Sequence, residues 1–406
     1  MFLQPPFGIP PVGGPRKPKP PNPFPSHCAA SGKNRHPVNP VDGGFLTCYV
    51  AQPPDIAGTK SIGGNELISI DSKNFRRAGA DTPSDRPLVL VTGATGFIGK
   101  RLCQCLIDSG QPLRQAVRST PPALASGEGI VQIGDIGPQT DWAAALQSVD
   151  AVVHLAAHVH QMASSEETDS RYFEVNTLGT ERLATAAAKA GVKRFVYLSS
   201  IKVNGEQTAA NAQFTEEQTP HPLDPYGVSK GEAEQRLRSL AATSGMEVVI
   251  IRPPLVYGPG VTANFARLIR LVGNGLPLPL ASVRNRRSLV FLDNLVDFIV
   301  CSLHHPAAAG QTFLISDGED LSTPDLIRKL AGAMGRSARL WPCPLSLLRL
   351  AGKLSGRSAV IDRLSDSLRV DSSKAQKVLG WQPPYTVAQG IQKTVDWYLH
   401  PHEHNN

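Results

Sequence analysis

The run Leu88-Val89-Leu90-Val91-Thr92 passes directly into Gly93-Ala94-Thr95-Gly96-Phe97-Ile98-Gly99, and no other part of the chain constrains its fold as tightly. The first five residues are apolar or β-branched and suit a strand buried on both faces. After the glycines, Ile98 to Asp108 reads as a helix with Ile98, Leu102, Cys105 and Leu106 on one side. A spaced-glycine pattern gains meaning only between a strand and a helix, and here both flanks are present. In that geometry Gly93 permits the turn, Gly96 lets backbone approach a pyrophosphate, and Gly99 allows close helix packing. The helix N-terminus then faces the phosphates.

From Arg86 onward, strand-like and helix-like segments alternate, which predicts an α/β fold with a doubly wound parallel sheet covered on both faces. Leu113 to Val117, Gly129 to Ile133, Ala151 to Leu155, Arg194 to Ser199 and Glu247 to Arg252 read as further strands. Arg171 to Ala190 and Tyr226 to Ser244 read as the longer helices between them. Past Pro253 the pattern breaks into proline-interrupted pieces, as a smaller C-terminal substrate-binding lobe would. The expected division is an extension over 1–85, a dinucleotide-binding domain over 86–253 and the lobe over 254–400.

The extension holds 14 of the chain's 35 prolines between Pro5 and Pro54, with six glycines among them. Such a composition buries too little apolar surface to offset ordering entropy, and disorder is expected. From Ala51 to Asp85 only Glu66 to Ile70 is strand-like. The net charge is +7, of which residues 1–85 supply nine Lys/Arg against six Asp/Glu. The cations are scattered, so an anionic small molecule is the expected partner and nucleic acid is not. Six cysteines lack zinc-site spacing and favour reduced thiols in the cytoplasm. No apolar stretch reaches the length of a membrane span, so no integral membrane association is expected. Trp341 to Leu354 is apolar with interspersed basic residues, a composition open to a membrane-surface helix or, more commonly, a lid or packing helix.

Tyr226-Gly227-Val228-Ser229-Lys230 supplies the chemistry. A Tyr and a Lys four residues apart share a helical face, so the ammonium can lower a phenol pKa that is otherwise about 10. The motif is common by chance; joined to the glycine loop and to Ser199-Ser200 it is not.

Together these residues resemble an extended short-chain dehydrogenase/reductase of the NAD-dependent epimerase/dehydratase family. Gly134-Asp135-Ile136, His154-Leu155-Ala156-Ala157, Val175-Asn176-Thr177-Leu178-Gly179-Thr180, Arg252-Pro253 and Val256-Tyr257-Gly258-Pro259-Gly260 also fit, in family order. The resemblance implies that Ser200 hydrogen-bonds the reacting oxygen, Tyr226 donates or accepts the proton, and Lys230 binds the nicotinamide ribose. It implies cofactor contacts from Thr95, Phe97 and Ile98 beside the three glycines, and from Leu155, Ala156, Ala157, Asn176, Ser199 and Pro253. Asp135 and Ile136 would line the adenine, although a turn or helix-capping Asp is an equal reading of Asp135. The helices Arg171 to Ala190 and Tyr226 to Ser244 would pair into a homodimer.

At the end of the second strand, where a carboxylate would bind the 2′-hydroxyl of NAD, stands Arg118. The cofactor is thus NADP or NAD, with NADP favoured if Arg118 pairs with the 2′-phosphate and neutral if it stacks on adenine. Ile201 and Lys202 occupy the places where family dehydratases carry an Asp-Glu pair, so elimination lacks its acid and base. Ser199 to Glu206 is similar to bacterial UDP-N-acetylquinovosamine dehydrogenases, the 4-keto reductases of O-antigen synthesis. A nucleotide-sugar 4-keto reductase is therefore the expectation, with a UDP-sugar 4-epimerase holding NAD as the alternative and a non-catalytic dinucleotide binder as a third. Substrate contacts are expected from Asn264, Phe265 and Arg286, with Arg284 and Arg287 open to the same role, and Lys202 either touches substrate or pairs on the surface. Leu255 stands where the family often has an Asn. No metal is expected; His158 and His160 would lie on a substrate loop.

Overall fold

The computed structural model describes residues 86–119, 129–159, 166–209 and 211–400, all within one compact unit. The extension over 1–85, including Glu66 to Ile70, and His160 lie outside the described residues.

Among the described residues there are nine short strands: β1 Val89–Thr92, β2 Leu113–Val117, β3 Ile130–Gln132, β4 Ala151–His154, β5 Arg194–Leu198, β6 Glu247–Arg252, β7 Leu255–Tyr257, β8 Leu289–Phe291 and β9 Thr312–Leu314. Seven of them form one parallel sheet in the order β3-β2-β1-β4-β5-β6-β9, and β7 pairs with β8 beside it. Alternation along each strand divides the core between the two faces. Val89, Val91, Val153 and Val196 pack on one side with the helices Phe97–Asp108 and Leu292–His304. Leu90, Val152, Phe195 and Tyr197 pack on the other with Gly179–Lys189 and Pro225–Ser244. This is the doubly wound sheet that the alternating pattern predicts.

Strand order reverses between β1 and β4, so a crevice opens beyond their carboxyl ends, where open α/β sheets bind ligands. The glycine loop leaves β1 there and Leu155-Ala156-Ala157 leaves β4. Residues beyond 254 form a separate core cluster around Tyr257, Phe265, Phe291 and Val395. They also interleave with the sheet, because β9 returns from beyond residue 254 to become the outer strand.

Two elements show how local sequence sets the frame. The helix Pro225–Ser244 begins on Asp224, whose carboxylate accepts from Gly227 N at 2.7 Å, carries Pro225 in its first turn, and ends at Gly245 with φ +73°. The expected helix from Arg171 to Ala190 starts earlier, at Glu166, and its middle stretch Phe173–Leu178 is π-helical. Apolar spacing cannot reveal one added residue per turn, so the widening is invisible in the sequence.

Candidate active site

The glycine loop is built as its spacing requires. Gly93 has φ +70°, and a Cβ there would lie 2.8 Å from Ala156 N, so glycine lets the loops after β1 and β4 meet. At Gly99 a Cβ would fall 2.0 Å from Gly93 O, which any side chain forbids. Gly96 is the extended N-cap of the helix Phe97–Asp108, which has neither a capping side chain nor an acidic residue in its first turn. Its first N–H groups lack side-chain partners and its positive dipole end is uncompensated, which fits a dinucleotide pyrophosphate. Thr95 is exposed on the loop, and Phe97 and Ile98 are half-buried behind it.

Arg118, just past β2, and Asp135, past β3, form an ion pair at 2.8 Å. Their side chains are 77% and 69% exposed, so the pair is worth little and opens easily. Ile136 packs against the core, close to Gly179, where a Cβ would come within 2.7 Å of it. Past β4, His158 exchanges two hydrogen bonds with Asn176, whose Oδ1 accepts from His158 N at 2.7 Å and whose Nδ2 donates to His158 O at 3.0 Å. The same Nδ2 donates to Ser229 Oγ at 3.1 Å. Asn176 lies in the π-helical stretch and ties the β4 loop to the helix of Tyr226. His154 is buried between Thr92 Oγ1 at 2.6 Å and Thr180 Oγ1 at 2.9 Å, and burial drops its pKa to about 3, so it is a neutral structural histidine.

Ser200, Tyr226 and Lys230 converge at the end of β5. Ser200 caps the short 3₁₀ turn Ile201–Val203, accepting from Lys202 N at 3.2 Å, and is hydrogen-bonded to the Tyr226 phenol. Tyr226 packs edge-on against Tyr172, with ring centroids 6.0 Å apart. Burial and the neighbouring Asp224 push the Tyr226 pKa well above its ordinary value, outweighing the Ser200 hydrogen bond. This differs from the lowering expected from Lys230. The Lys230 ammonium instead donates to Leu198 O at 2.8 Å and lies 4.6 Å over the Tyr197 ring. Burial brings its pKa down to about 7, against a raising influence from Glu234.

Beneath this trio lies a buried polar network that sequence reasoning left without a role. Glu234, one turn after Lys230, accepts from Ser199 Oγ at 2.6 Å and from Arg252 Nε at 2.8 Å and Nη2 at 2.5 Å. Arg252 Nη1 donates to Asn204 Oδ1 at 2.8 Å, and Asn204 Nδ2 to Thr215 O at 2.9 Å. Ser199 therefore turns its hydroxyl toward this network, and Asn204 holds Arg252. The spacing 226, 230, 234 puts all three on one helical face and is the signal that would have found Glu234. Pro253, buried, accepts from Ile201 N at 3.0 Å and so holds the serine turn against β6.

The expected substrate contacts are less united. Lys202 pairs with Asp224, the cap of the Tyr226 helix, and with Glu206 at 3.1 Å. Asn264 is exposed in the first turn of the helix Ala263–Gly273, whereas the Phe265 ring is taken up by the core and stacks on Tyr257 at 5.4 Å. Arg284 and Arg286 are exposed; Arg287 donates to the carbonyls of Arg363 and Asp366 at 3.1 Å each.

A crevice at the strand reversal, an anion-ready helix end and a Ser/Tyr/Lys trio beside it are what a dinucleotide-dependent oxidoreduction at an alcohol or carbonyl needs. Comparison with known proteins agrees. The chain is 47% identical over 315 residues to a UDP-glucose 4-epimerase of Vibrio cholerae, covering 77% of this chain and 95% of that one. It is 29% identical to an N-acetyl-alpha-D-glucosaminyl-diphospho-ditrans,octacis-undecaprenol 4-epimerase of Escherichia coli O157:H7, over 76% of this chain and 94% of that one. Among solved structures it resembles a UDP-glucuronic acid 4-epimerase of Bacillus cereus in complex with NAD, with TM-score 0.62 and 25% identity, covering 77% of this chain and 99% of that one. The sequence profile described as "NAD dependent epimerase/dehydratase family" matches residues 89–316. The chain belongs to the NAD-dependent epimerase/dehydratase family.

Proposed function

We propose that this protein carries out oxidation–reduction at C4 of a UDP-linked sugar, and that its net reaction is reduction of a UDP-4-keto-6-deoxy-N-acetylhexosamine. The observation that carries the reading is the Tyr226 phenol, hydrogen-bonded to Ser200 and held in its protonated form by burial. A protonated phenol is a proton donor, which is what a keto oxygen requires as it becomes an alcohol. When bound, the nicotinamide supplies the hydride that C4 gains. Ser200 orients the keto oxygen, Tyr226 delivers the proton to it, and the Lys230 ammonium balances the phenolate left behind. Elimination has no support, because Ile201 is apolar and the Lys202 amine is held by Asp224 and Glu206.

The cofactor is NADP or NAD. Arg118 supports NADP, since its exposed pairing with Asp135 can give way to a 2′-phosphate; the structural neighbour in complex with NAD supports NAD. A second reading, 4-epimerisation of a UDP-sugar with NAD retained, draws its support from the relatives named as 4-epimerases. The protein acts as a homodimer through the helices that carry Asn176 and Tyr226, where Phe173, Leu223 and Val228 are exposed. Free buried cysteines at 103, 105, 301 and 343 support a cytoplasmic setting, and the Ser199 to Glu206 pattern supports a place in O-antigen synthesis.

The test is to follow nicotinamide absorbance with purified protein, NADPH or NADH, and a UDP-4-keto-6-deoxy-N-acetylhexosamine. Stoichiometric consumption supports the reductase. Absence of consumption, together with interconversion of UDP-glucose and UDP-galactose without added cofactor, replaces it with the epimerase.

A further inference from the structure

The helices Leu345–Leu354 and Ser358–Ser365 form a hairpin on the small lobe. The hairpin is set by close packing: a Cβ at Gly352 would lie 2.8 Å from Ile361 Cγ1. Leu348 is buried, and Leu345, Ile361 and Leu364 pack on the lobe core. With that face committed inward, Leu347, Leu350 and Leu354 fall on the other side, at positions i, i+3 and i+7 of one stripe. They are 55%, 53% and 82% exposed, and Val360 and Trp341 are also exposed nearby. The first helix is thus apolar on two faces, of which one is covered.

The charges around the stripe are predominantly positive. Residues 345–365 carry Arg349, Lys353, Arg357 and Arg363 against a single acid, Asp362. Arg349 is engaged by Asp366 at 3.2 Å, while Lys353 and Arg357 have no carboxylate partner among the described residues. Two possible covers share that sign. A second copy meeting this face isologously would set the same cations against each other, and residues 1–85 are themselves net basic. An apolar stripe edged with unpaired cations is complementary to an anionic lipid surface, where leucines enter the acyl boundary and ammonium and guanidinium groups meet headgroups.

We propose that this hairpin docks the protein peripherally on an anionic bilayer surface. This inference does not rest on the proposed reaction. No helix among the described residues is long and apolar enough to cross a membrane, so the attachment is to the surface. The hairpin's end is tied to the arginine segment: Asn285 Nδ2 donates to the carbonyls of Leu364 and Asp366 at 3.2 Å each, and Thr323 Oγ1 to Leu364 O at 2.7 Å.

The experiment is flotation of the full-length protein with vesicles of phosphatidylcholine alone and of phosphatidylcholine mixed with phosphatidylglycerol. The expected result is binding to the mixed vesicles only, weakening as salt rises. The variant Leu347→Ser/Leu350→Ser/Leu354→Ser and the variant Lys353→Glu/Arg357→Glu should each lower the bound fraction by roughly tenfold. Both change exposed positions, and an unaltered melting temperature shows that each is folded. The proposal is overturned if wild-type protein ignores both vesicle types, or if both folded variants bind as wild type does. It is equally overturned if the leucine variant abolishes a self-association of the lipid-free protein, which would make the occupant a second copy.

Discussion

Tyr226 and Lys230 are displaced from their ordinary pKa values in opposite directions, and burial is the main cause of both shifts. Removing the phenolic oxygen takes away the proposed proton donor and little else. Tyr226→Phe should lower turnover by about 10²–10⁴-fold while leaving NADH binding, read by fluorescence, unchanged. For Lys230, a folded pKa of about 7 against an ordinary value of 10.5 means that the unfolded chain holds the extra proton between those limits. Stability therefore rises with pH across that window, and the cost of burying the ammonium is complete below it. Lys230→Met should stabilise the protein relative to wild type more at pH 6 than at pH 10, by on the order of a few kcal/mol in urea unfolding. At the cofactor's other end, Arg118→Ala should raise the KM for NADPH by about tenfold and leave that for NADH nearly unchanged, in steady-state assays. The glycines, Ser200, Tyr226 and Lys230 were legible in the sequence because each acts through local backbone or a helical face. For Lys202 the ion pairing was one of two readings the sequence left open; the Phe265 ring was not legible, since its stacking on Tyr257 is fixed by tertiary contact.

The elements were legible wherever apolar periodicity governs them. Six of the seven strands of the main sheet coincide with predicted runs, and the helix of Tyr226 has the cap, the early proline and the terminal glycine that its sequence advertises. The π-helical stretch was hidden, although it positions Asn176 between His158 and Ser229. Hidden too was the junction of helix and sheet: Glu234 and Arg252 are almost wholly buried as a bidentate pair, joining the Tyr226 helix to β6. Cutting one partner leaves a buried charge without compensation. Glu234→Ala should cost about 3–5 kcal/mol in urea unfolding. Replacing both members with apolar residues of similar volume should cost much less.

At the scale of the whole molecule, the family and the doubly wound sheet could be read from motif order, but the interleaving of the two lobes could not. Nothing in the short run Thr312–Leu314 announces that it belongs beside β6. The proposed dimer would bury Val228, Phe173 and Leu223, which are exposed. Val228→Asp should convert a dimer to a monomer at micromolar concentration, as read by sedimentation equilibrium, with secondary structure retained. The late arrival of β9 also bears on how the protein is made. When Arg252 leaves the ribosome, β6 has an open edge, and it keeps it until Thr312–Leu314 emerge. At usual synthesis rates those roughly 60 residues take on the order of 3–12 s. Throughout that interval the nascent chain presents an unpaired strand edge to its neighbours on the polysome, so the growing chain is most in need of a chaperone just after Tyr226 and Lys230 have been translated.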